Sequence, residues 1–125
     1  MTTSGLNCPP LKVGVVGAGM MGLSHLRIYD TLKGVEIVGV MDADGARARQ
    51  AAGTYSCPVV ESLDEMASRA QAVSVAVPTT EHASTALPLL EAGISCLVEK
   101  PLALSRIECE ELIAASERSL SLIHI

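Results

Sequence analysis

Aromatic residues are almost absent from this chain of 125 residues: Phe and Trp are missing, and Tyr29 and Tyr55 are the two tyrosines. The core must therefore be built from small aliphatic side chains, which suits helices that lie close against a sheet. Charged residues are also few, at 18%, whereas hydrophobic residues reach 49%. This balance excludes an intrinsically disordered chain.

The sequence also lacks long apolar runs, a net basic charge and the cysteine spacings that are typical of metal sites. No stretch reaches the roughly 18 apolar residues of a membrane span, and residues 1–10 lack the basic and apolar parts of a signal peptide. The net charge of -5 argues against a nucleic-acid partner. The four cysteines, at positions 8, 57, 96 and 109, form no metal-binding spacing. We expect reduced thiols in a cytoplasmic protein that binds no metal, membrane or nucleic acid.

Short β-branched runs alternate with helical segments from residue 11 onwards. The pattern predicts strands at 11–16, 35–41, 59–60, 72–77 and 94–98. Such an alternation indicates right-handed βαβ units in a doubly wound parallel sheet, the α/β architecture of the Rossmann type. With the strands numbered along the chain, the expected order is 3-2-1-4-5. We expect one domain over residues 11–119, preceded by a flexible leader at 1–10.

The last six residues, 120–125, read Leu-Ser-Leu-Ile-His-Ile. They can be encoded by CTG TCT CTT ATA CAC ATC, which is the end of a transposase-derived sequencing adapter. We therefore expect an artefactual tail, a native sequence that ends near Ser119, and a sheet that is incomplete at its C-terminal edge. The alternative is a genuine apolar sixth strand.

A glycine-rich turn of the pattern G-x-G-x-x-G follows the first predicted strand and opens a helix: Gly17-Ala18-Gly19-Met20-Met21-Gly22. Asp42 lies 20 residues beyond Gly22, at the end of the second predicted strand. This is the context of the dinucleotide fingerprint. Gly17 allows the tight turn, Gly19 leaves room for a pyrophosphate, and Gly22 lets the helix approach the strand. Free amides at the helix start would then bind the phosphates; the alternative is a turn that only packs.

Asp42 is expected to select the cofactor. Its carboxylate can accept hydrogen bonds from both hydroxyls of the adenosine ribose, whereas it repels a 2′-phosphate. NAD is therefore expected in preference to NADP. Arg47 and Arg49 follow in the next helix and are interpreted as a solvated helix face. An alternative role for Asp42 is the N-cap of the helix near Ala43.

Two further segments follow predicted strands at their carboxyl ends, where ligands bind in open parallel sheets. Pro78-Thr79-Thr80-Glu81-His82 follows the fourth strand, and Glu99-Lys100-Pro101 follows the fifth. Charged residues directly after an apolar strand are costly to bury unless they are paired with an opposite charge or have a functional role. Spacing alone leaves Lys100 as either a functional group or a salt-bridged surface lysine. His82 is either near the cofactor or an exposed residue of the first helical turn.

Together these motifs resemble the Gfo/Idh/MocA oxidoreductases over about residues 11–119. The segments that carry the resemblance are Val13 to Gly22, Ala76-Val77-Pro78-Thr79 and Glu99-Lys100-Pro101. Within the family, two segments most resemble the UDP-N-acetylglucosamine 3-dehydrogenase type: Gly22-Leu23-Ser24-His25 with Tyr29, and Ala76-Val77-Pro78-Thr79-Thr80-Glu81-His82.

The resemblance implies the N-terminal NAD(P)-binding domain of an enzyme that oxidises a hydroxyl of a sugar, nucleotide sugar or cyclitol. It implies that Lys100 is catalytic and contacts the reacting hydroxyl, that Glu99 holds the cofactor-side geometry, and that Pro101 aims the lysine, in the family often through a cis bond. The cofactor-binding residues expected from the motifs and the resemblance are Gly17, Gly19, Met20, Met21, Gly22, Asp42, Pro78, Thr79, His82, Glu99, Lys100 and Pro101.

The family also has a second domain, which carries the substrate pocket and an Asp-x-x-x-His pair, and nothing in residues 1–119 resembles it. We therefore expect this fragment to bind the cofactor without turning over substrate, and the full-length protein to be a homo-oligomer. One alternative is a non-catalytic NAD-binding module. Another is a methyltransferase, which also has a glycine turn and an acid after the second strand but leaves Glu99-Lys100-Pro101 unexplained.

Overall fold

The computed structural model describes residues 8–125, in which strands and helices alternate. Most of the predicted leader at 1–10 lies outside the described residues. The strands are β1 Leu11–Val16, β2 Val35–Met41, β3 Ala72–Val75, β4 Ser95–Val98 and β5 Ile123–His124. The helices are α1 Met20–Thr31, α2 Gly45–Tyr55, α3 Leu63–Arg69, α4 His82–Glu91 and α5 Arg106–Ser119.

The strands form one parallel sheet in the order β2-β1-β3-β4-β5. Val59 makes an isolated parallel bridge to Val40, so the predicted third strand flanks β2 but is reduced to a single bridge. With that bridge included, the predicted order 3-2-1-4-5 is confirmed, and the chain has the Rossmann-type α/β architecture. β1 therefore lies in the middle of the sheet, between β2 and β3.

The edge strand β5 is made by the C-terminal tail. Ile123 and His124 pair in parallel with Cys96 and Leu97 of β4. Residues 120–125 would pair in this way whatever the origin of the DNA that encodes them. The expectation that residues 120–125 derive from an adapter therefore stays a prediction, together with the domain end at Ser119.

Small aliphatic side chains cover the sheet in two clusters. One includes Met66 of α3, Leu89 of α4 and Leu112 of α5, all fully buried. The other includes Val15 of β1 and Leu26 of α1. The sheet is therefore covered on both sides, as its apolar strands require. Within residues 8–125, no helix combines the length and apolarity needed to cross a bilayer.

The starts of the helices differ in a way that matters for the site. Asp44, Ser62 and Ser105 cap α2, α3 and α5 through their side chains. By contrast, α1 begins at Gly19 without a side-chain cap and without an acidic residue in its first turn. The first amides of α1 thus remain available as hydrogen-bond donors.

Candidate functional site

A cleft of about 560 Å³ opens where β1, β2 and β3 end. Because β1 has β2 on one side and β3 on the other, the connections that leave β1 and β2 run to opposite sides of β1. This is a topological switch point, the place where open parallel sheets bind their ligands. The volume lies within the range of roughly 300–1,000 Å³ typical of small-molecule sites. Of the predicted cofactor-binding residues, the lining contains Gly17, Gly19, Met20, Met21, Asp42 and Pro78.

The three glycines of the turn have different surroundings. Gly17 has a φ of +104°, and a Cβ there would collide with the Ala76 carbonyl. A Cβ on Gly22 would collide with the Gly17 carbonyl. A Cβ on Gly19, however, would meet no atom within 4 Å. Gly17 and Gly22 are therefore required by the protein's own packing, whereas Gly19 faces open space in the cleft.

The N-terminus of α1 points its free amides at that open space. Gly19 is the N-cap residue, and no carboxylate in the first turn offsets the positive end of the helix dipole. Met20 follows with 85% of its surface exposed and lines the same cleft. Uncapped amides beside a residue without a side chain make a place where a phosphate group can approach the backbone closely.

The Asp42 carboxylate ties the end of β2 to the glycine turn. The Ala18 amide donates to Asp42 Oδ2 at 2.6 Å, and the Asp44 amide donates to Oδ1 at 2.7 Å. The Arg47 guanidinium donates to the same Oδ1 at 3.2 Å. The Asp42 side chain is 5% exposed, so these contacts hold it firmly at the cleft wall.

These contacts also change the acidity of Asp42. Burial alone would raise the pKa of its carboxyl, but the two amide hydrogen bonds and the Arg47 guanidinium outweigh burial and lower the pKa below its usual value. Asp42 is thus held as a carboxylate.

Two interpretations of this region need correction. Asp44, not Asp42, is the N-cap of α2, because its carboxylate accepts from the amides of Ala46 and Arg47. Arg47 is half-exposed, as expected for a helix face, but it pairs with Asp42 and lines the cleft. The spacing of Arg47 one turn after a capping aspartate could have indicated that it turns back towards the end of β2.

The segments after β3 and β4 lie beside the cleft in different ways. Pro78 lines it, together with Val77, Glu81 and Thr85, none of which was among the predicted cofactor-binding residues. Thr79 begins the short 3-10 turn and is half-buried outside the lining. Glu99 lines a smaller cavity of about 240 Å³ with His25.

Lys100 and Pro101 are exposed on the loop that follows β4. The peptide bond between them is cis, as the resemblance implied. No carboxylate of residues 8–125 forms an ion pair with Lys100, so the description of a salt-bridged surface lysine does not apply to this part of the chain.

His82 is neither exposed nor in the cleft. It is 2% exposed, and each of its ring nitrogens lies 3.0 Å from a carbonyl oxygen of a neighbouring loop. The expectation that it touches the cofactor is therefore revised: the ring lies behind the wall that Val77 and Pro78 form.

Comparison with known proteins decides the family. The model of the Gfo/Idh/MocA oxidoreductases, described as an oxidoreductase family with an NAD-binding Rossmann fold, matches residues 11–124. The chain belongs to the Gfo/Idh/MocA family. The motif-based resemblance is thereby confirmed.

Among curated proteins, the UDP-N-acetylglucosamine 3-dehydrogenase of Acidithiobacillus ferrooxidans is 34% identical over 113 residues, which cover 90% of this chain and 36% of that protein. The inositol 2-dehydrogenase of Leifsonia xyli is 39% identical over 105 residues, covering 82% of the chain and 30% of the relative. GenD2 from gentamicin A biosynthesis, solved in complex with NAD, superposes with a TM-score of 0.88 at 29% identity, covering 99% of this chain and 36% of that one. The chain thus spans about a third of the length of these Gfo/Idh/MocA relatives.

Alanine substitutions at Gly22 and Gly19 distinguish a glycine that packing requires from a glycine that leaves room for a ligand. Gly22→Ala should lower the free energy of unfolding by about 1–3 kcal/mol, because the new Cβ meets backbone that cannot move away. This loss should outweigh the gain of about 1 kcal/mol in helix propensity. Gly19→Ala, the matched control, should change it by less than about 0.5 kcal/mol. Urea unfolding of both variants tests this, and equal effects would contradict the assignment.

Stability should depend on the ionisation of Asp42 in acid. Because folding lowers the pKa of Asp42, its stabilising contribution is complete above the ordinary pKa of 3.8 and is lost as the pH falls through the folded-state pKa. At neutral pH, Asp42→Asn should lower the free energy of unfolding by about 1–3 kcal/mol. The gap between wild type and variant should shrink as urea unfolding is repeated at pH values down to about 2.5. A gap that stays constant with pH would contradict this.

Proposed function

We propose that this chain is the dinucleotide-binding domain of an NAD-dependent dehydrogenase that oxidises a hydroxyl of a sugar, nucleotide sugar or cyclitol. One observation carries the proposal: Gly19 leaves an open space in the cleft directly in front of the uncapped N-terminus of α1. The family membership supports it, as do the names of the relatives and the NAD bound to GenD2.

In this proposal the glycine turn binds the phosphates. The amides at the start of α1 donate to the pyrophosphate, and the missing side chain at Gly19 permits the close approach. Met20 and Pro78 offer apolar surface on either side of the cleft. The nicotinamide, when bound, supplies the hydride acceptor.

Lys100 is proposed as the catalytic residue. It is exposed at the carboxyl end of β4, free of ion pairs within residues 8–125, and on the loop beside the one that carries Pro78. An ammonium group at this place would hydrogen-bond to the reacting hydroxyl and help to move its proton, while its charge favours the developing negative oxygen.

We propose that the described residues bind the cofactor but do not complete a substrate site. They span about a third of the curated relatives, and within them Lys100 lines neither the cleft nor the smaller cavity beside Glu99. In the whole protein we propose a small sugar or nucleotide-sugar substrate, a cytoplasmic location and homo-oligomeric assembly.

NAD is proposed in preference to NADP, because Asp42 would repel a 2′-phosphate. A carboxylate has about four lone-pair sites, and the amides of Ala18 and Asp44 and the Arg47 guanidinium already occupy three of those on Asp42. A ribose with two hydroxyls therefore needs Arg47 to move aside. The same guanidinium would attract a 2′-phosphate, so Arg47 should weaken the preference that Asp42 creates.

Binding of NAD by the chain itself is the direct test. Isothermal titration should show binding of NAD and no binding of S-adenosylmethionine, the ligand of a methyltransferase. Gly19→Val should weaken NAD binding at least about tenfold, or about 1.4 kcal/mol, because the valine side chain fills the phosphate space. Circular dichroism should show that the variant is folded. Unchanged NAD binding by folded Gly19→Val would remove the glycine turn from the site.

Cofactor preference should respond in opposite directions to two substitutions. Arg47→Ala should raise the ratio of NADP to NAD dissociation constants, because the guanidinium no longer offsets the charge of Asp42. Asp42→Ala should lower this ratio. Each change should be about tenfold, the effect of roughly 1.4 kcal/mol. If both variants shift the ratio in the same direction, the selector role of Asp42 is wrong.

Loss of the Lys100 ammonium should affect chemistry and not cofactor binding. In the whole protein to which this chain belongs, Lys100→Met should lower kcat by about 10²–10⁴-fold, the usual contribution of a positioned proton-transfer group. The dissociation constant for NAD should stay within about a factor of two. Steady-state kinetics and titration check both values, and a normal kcat would exclude Lys100 from the reaction.

A further inference from the structure

His82 is the largest buried polar side chain behind the cleft. It begins α4 and is 2% exposed. It faces two loops that come from different parts of the chain, since its partners lie 5 residues before it and 19 and 20 residues after it. A buried imidazole between two loops calls for an explanation beyond simple packing.

The ring contacts carbonyl oxygens on both sides. Nδ1 lies 3.0 Å from the Pro101 carbonyl oxygen and 3.1 Å from that of Leu102. Nε2 lies 3.0 Å from the Val77 carbonyl oxygen. Carbonyl oxygens only accept, so each of these contacts is a hydrogen bond only when the ring nitrogen carries hydrogen. With hydrogen on Nδ1, the ring donates to the Pro101 and Leu102 carbonyl oxygens, while its Nε2 edge stays in contact with the Val77 carbonyl.

The two loops begin where the sheet no longer fixes their spacing. Pairing of β3 with β4 ends at Val75 and Val98. Beyond that point, the first loop carries Val77 and Pro78 on the cleft wall, and the second carries Lys100. Within residues 8–125, no other side-chain hydrogen bond joins these loops.

We propose that His82 is a positioning residue that sets the distance between Lys100 and the cleft wall. It touches neither cofactor nor substrate. It acts by holding the carbonyls of Pro101 and Leu102, the two residues directly after Lys100, against the carbonyl of Val77. Its effect on catalysis rests on the proposed role of Lys100, whereas the contacts between the His82 ring and the two loops do not depend on any ligand.

Two amide substitutions separate the two sides of the ring. The amide nitrogen of asparagine occupies the place of Nδ1, and its two hydrogens can serve both Pro101 and Leu102. The amide nitrogen of glutamine occupies the place of Nε2 and can serve only Val77. His82→Asn should therefore keep the Lys100 loop in place, whereas His82→Gln should release it. His25→Gln is the matched control, because His25 bonds Ser74 on the α1 side of the fold.

The readout is ¹⁵N relaxation of the Lys100, Leu102 and Ala103 amides in the chain without cofactor. Wild type, His82→Asn and His25→Gln should give order parameters near about 0.85, and His82→Gln should fall below about 0.6. Because no cofactor is present, the result does not depend on NAD binding. If His82→Gln leaves the loop as rigid as wild type, or both His82 variants loosen it equally, the proposal is overturned.

The wild-type ring gives a second measurement that no substitution can disturb. A long-range ¹H–¹⁵N spectrum should show hydrogen on Nδ1 of His82, the nitrogen that faces the Pro101 and Leu102 carbonyl oxygens. An Nδ1 without hydrogen would mean that the ring does not hold the Lys100 loop, which also overturns the proposal. In the whole protein, His82→Gln should lower kcat about 10- to 100-fold, with the KM for NAD unchanged. His82→Asn should keep kcat close to that of the wild type. If the role of His82 were purely structural, both substitutions would lower kcat to the same extent.

Discussion

Helix α1 begins in contact with the backbone of the preceding strand, because neither Gly17 nor Gly22 carries a Cβ. Any side chain at Gly22 would collide with the Gly17 carbonyl, and one at Gly17 would collide with Ala76 on the neighbouring strand connection. This approach brings the uncapped start of α1 to the carboxyl ends of the strands. The Asp42 carboxylate then fixes the opposite wall through the Ala18 amide at 2.6 Å. The cleft exists because these two contacts hold its walls in place.

The scarcity of aromatic residues is matched by close packing on the face of the sheet that α3 covers. The thioether of Met66 occupies the space in front of Gly14, and the Val60 side chain occupies the space in front of Gly39. Helix α3 can therefore lie close to the sheet without a large side chain between them. A core of Val, Leu, Ala and Met residues suffices because the layers approach so closely.

What could be predicted from the sequence were the features with local causes. The glycine turn could be predicted from its spacing, because the clearance between Gly22 and the Gly17 carbonyl involves residues only a few positions apart. Strand order followed from alternation and handedness. The failures all depend on residues that meet only in the folded chain. Residues 59–60 were expected to be a strand, yet Val59 forms a single bridge to Val40 at the outer edge of β2.

Side-chain partners across loops were the least predictable. Arg47 was interpreted as a solvated residue, but the cap at Asp44 turns the start of α2 so that the guanidinium reaches Asp42. His82 was expected at the cofactor or in solvent, because its burial depends on two loops that meet only after the sheet forms. Both residues lie within the predicted site region, but their individual contacts could be seen only in the structure.

The measurement that tests the account most directly is an amide ¹H–¹⁵N titration of the chain with NAD. The largest shifts should fall on Ala18 to Gly22 and on Asp44 to Arg47, around the cleft of about 560 Å³. A second cavity, of about 370 Å³, lies between Tyr29 and Tyr55 at the amino end of β2. Shifts concentrated there, with the glycine turn unaffected, would contradict the assignment of the cleft as the cofactor site.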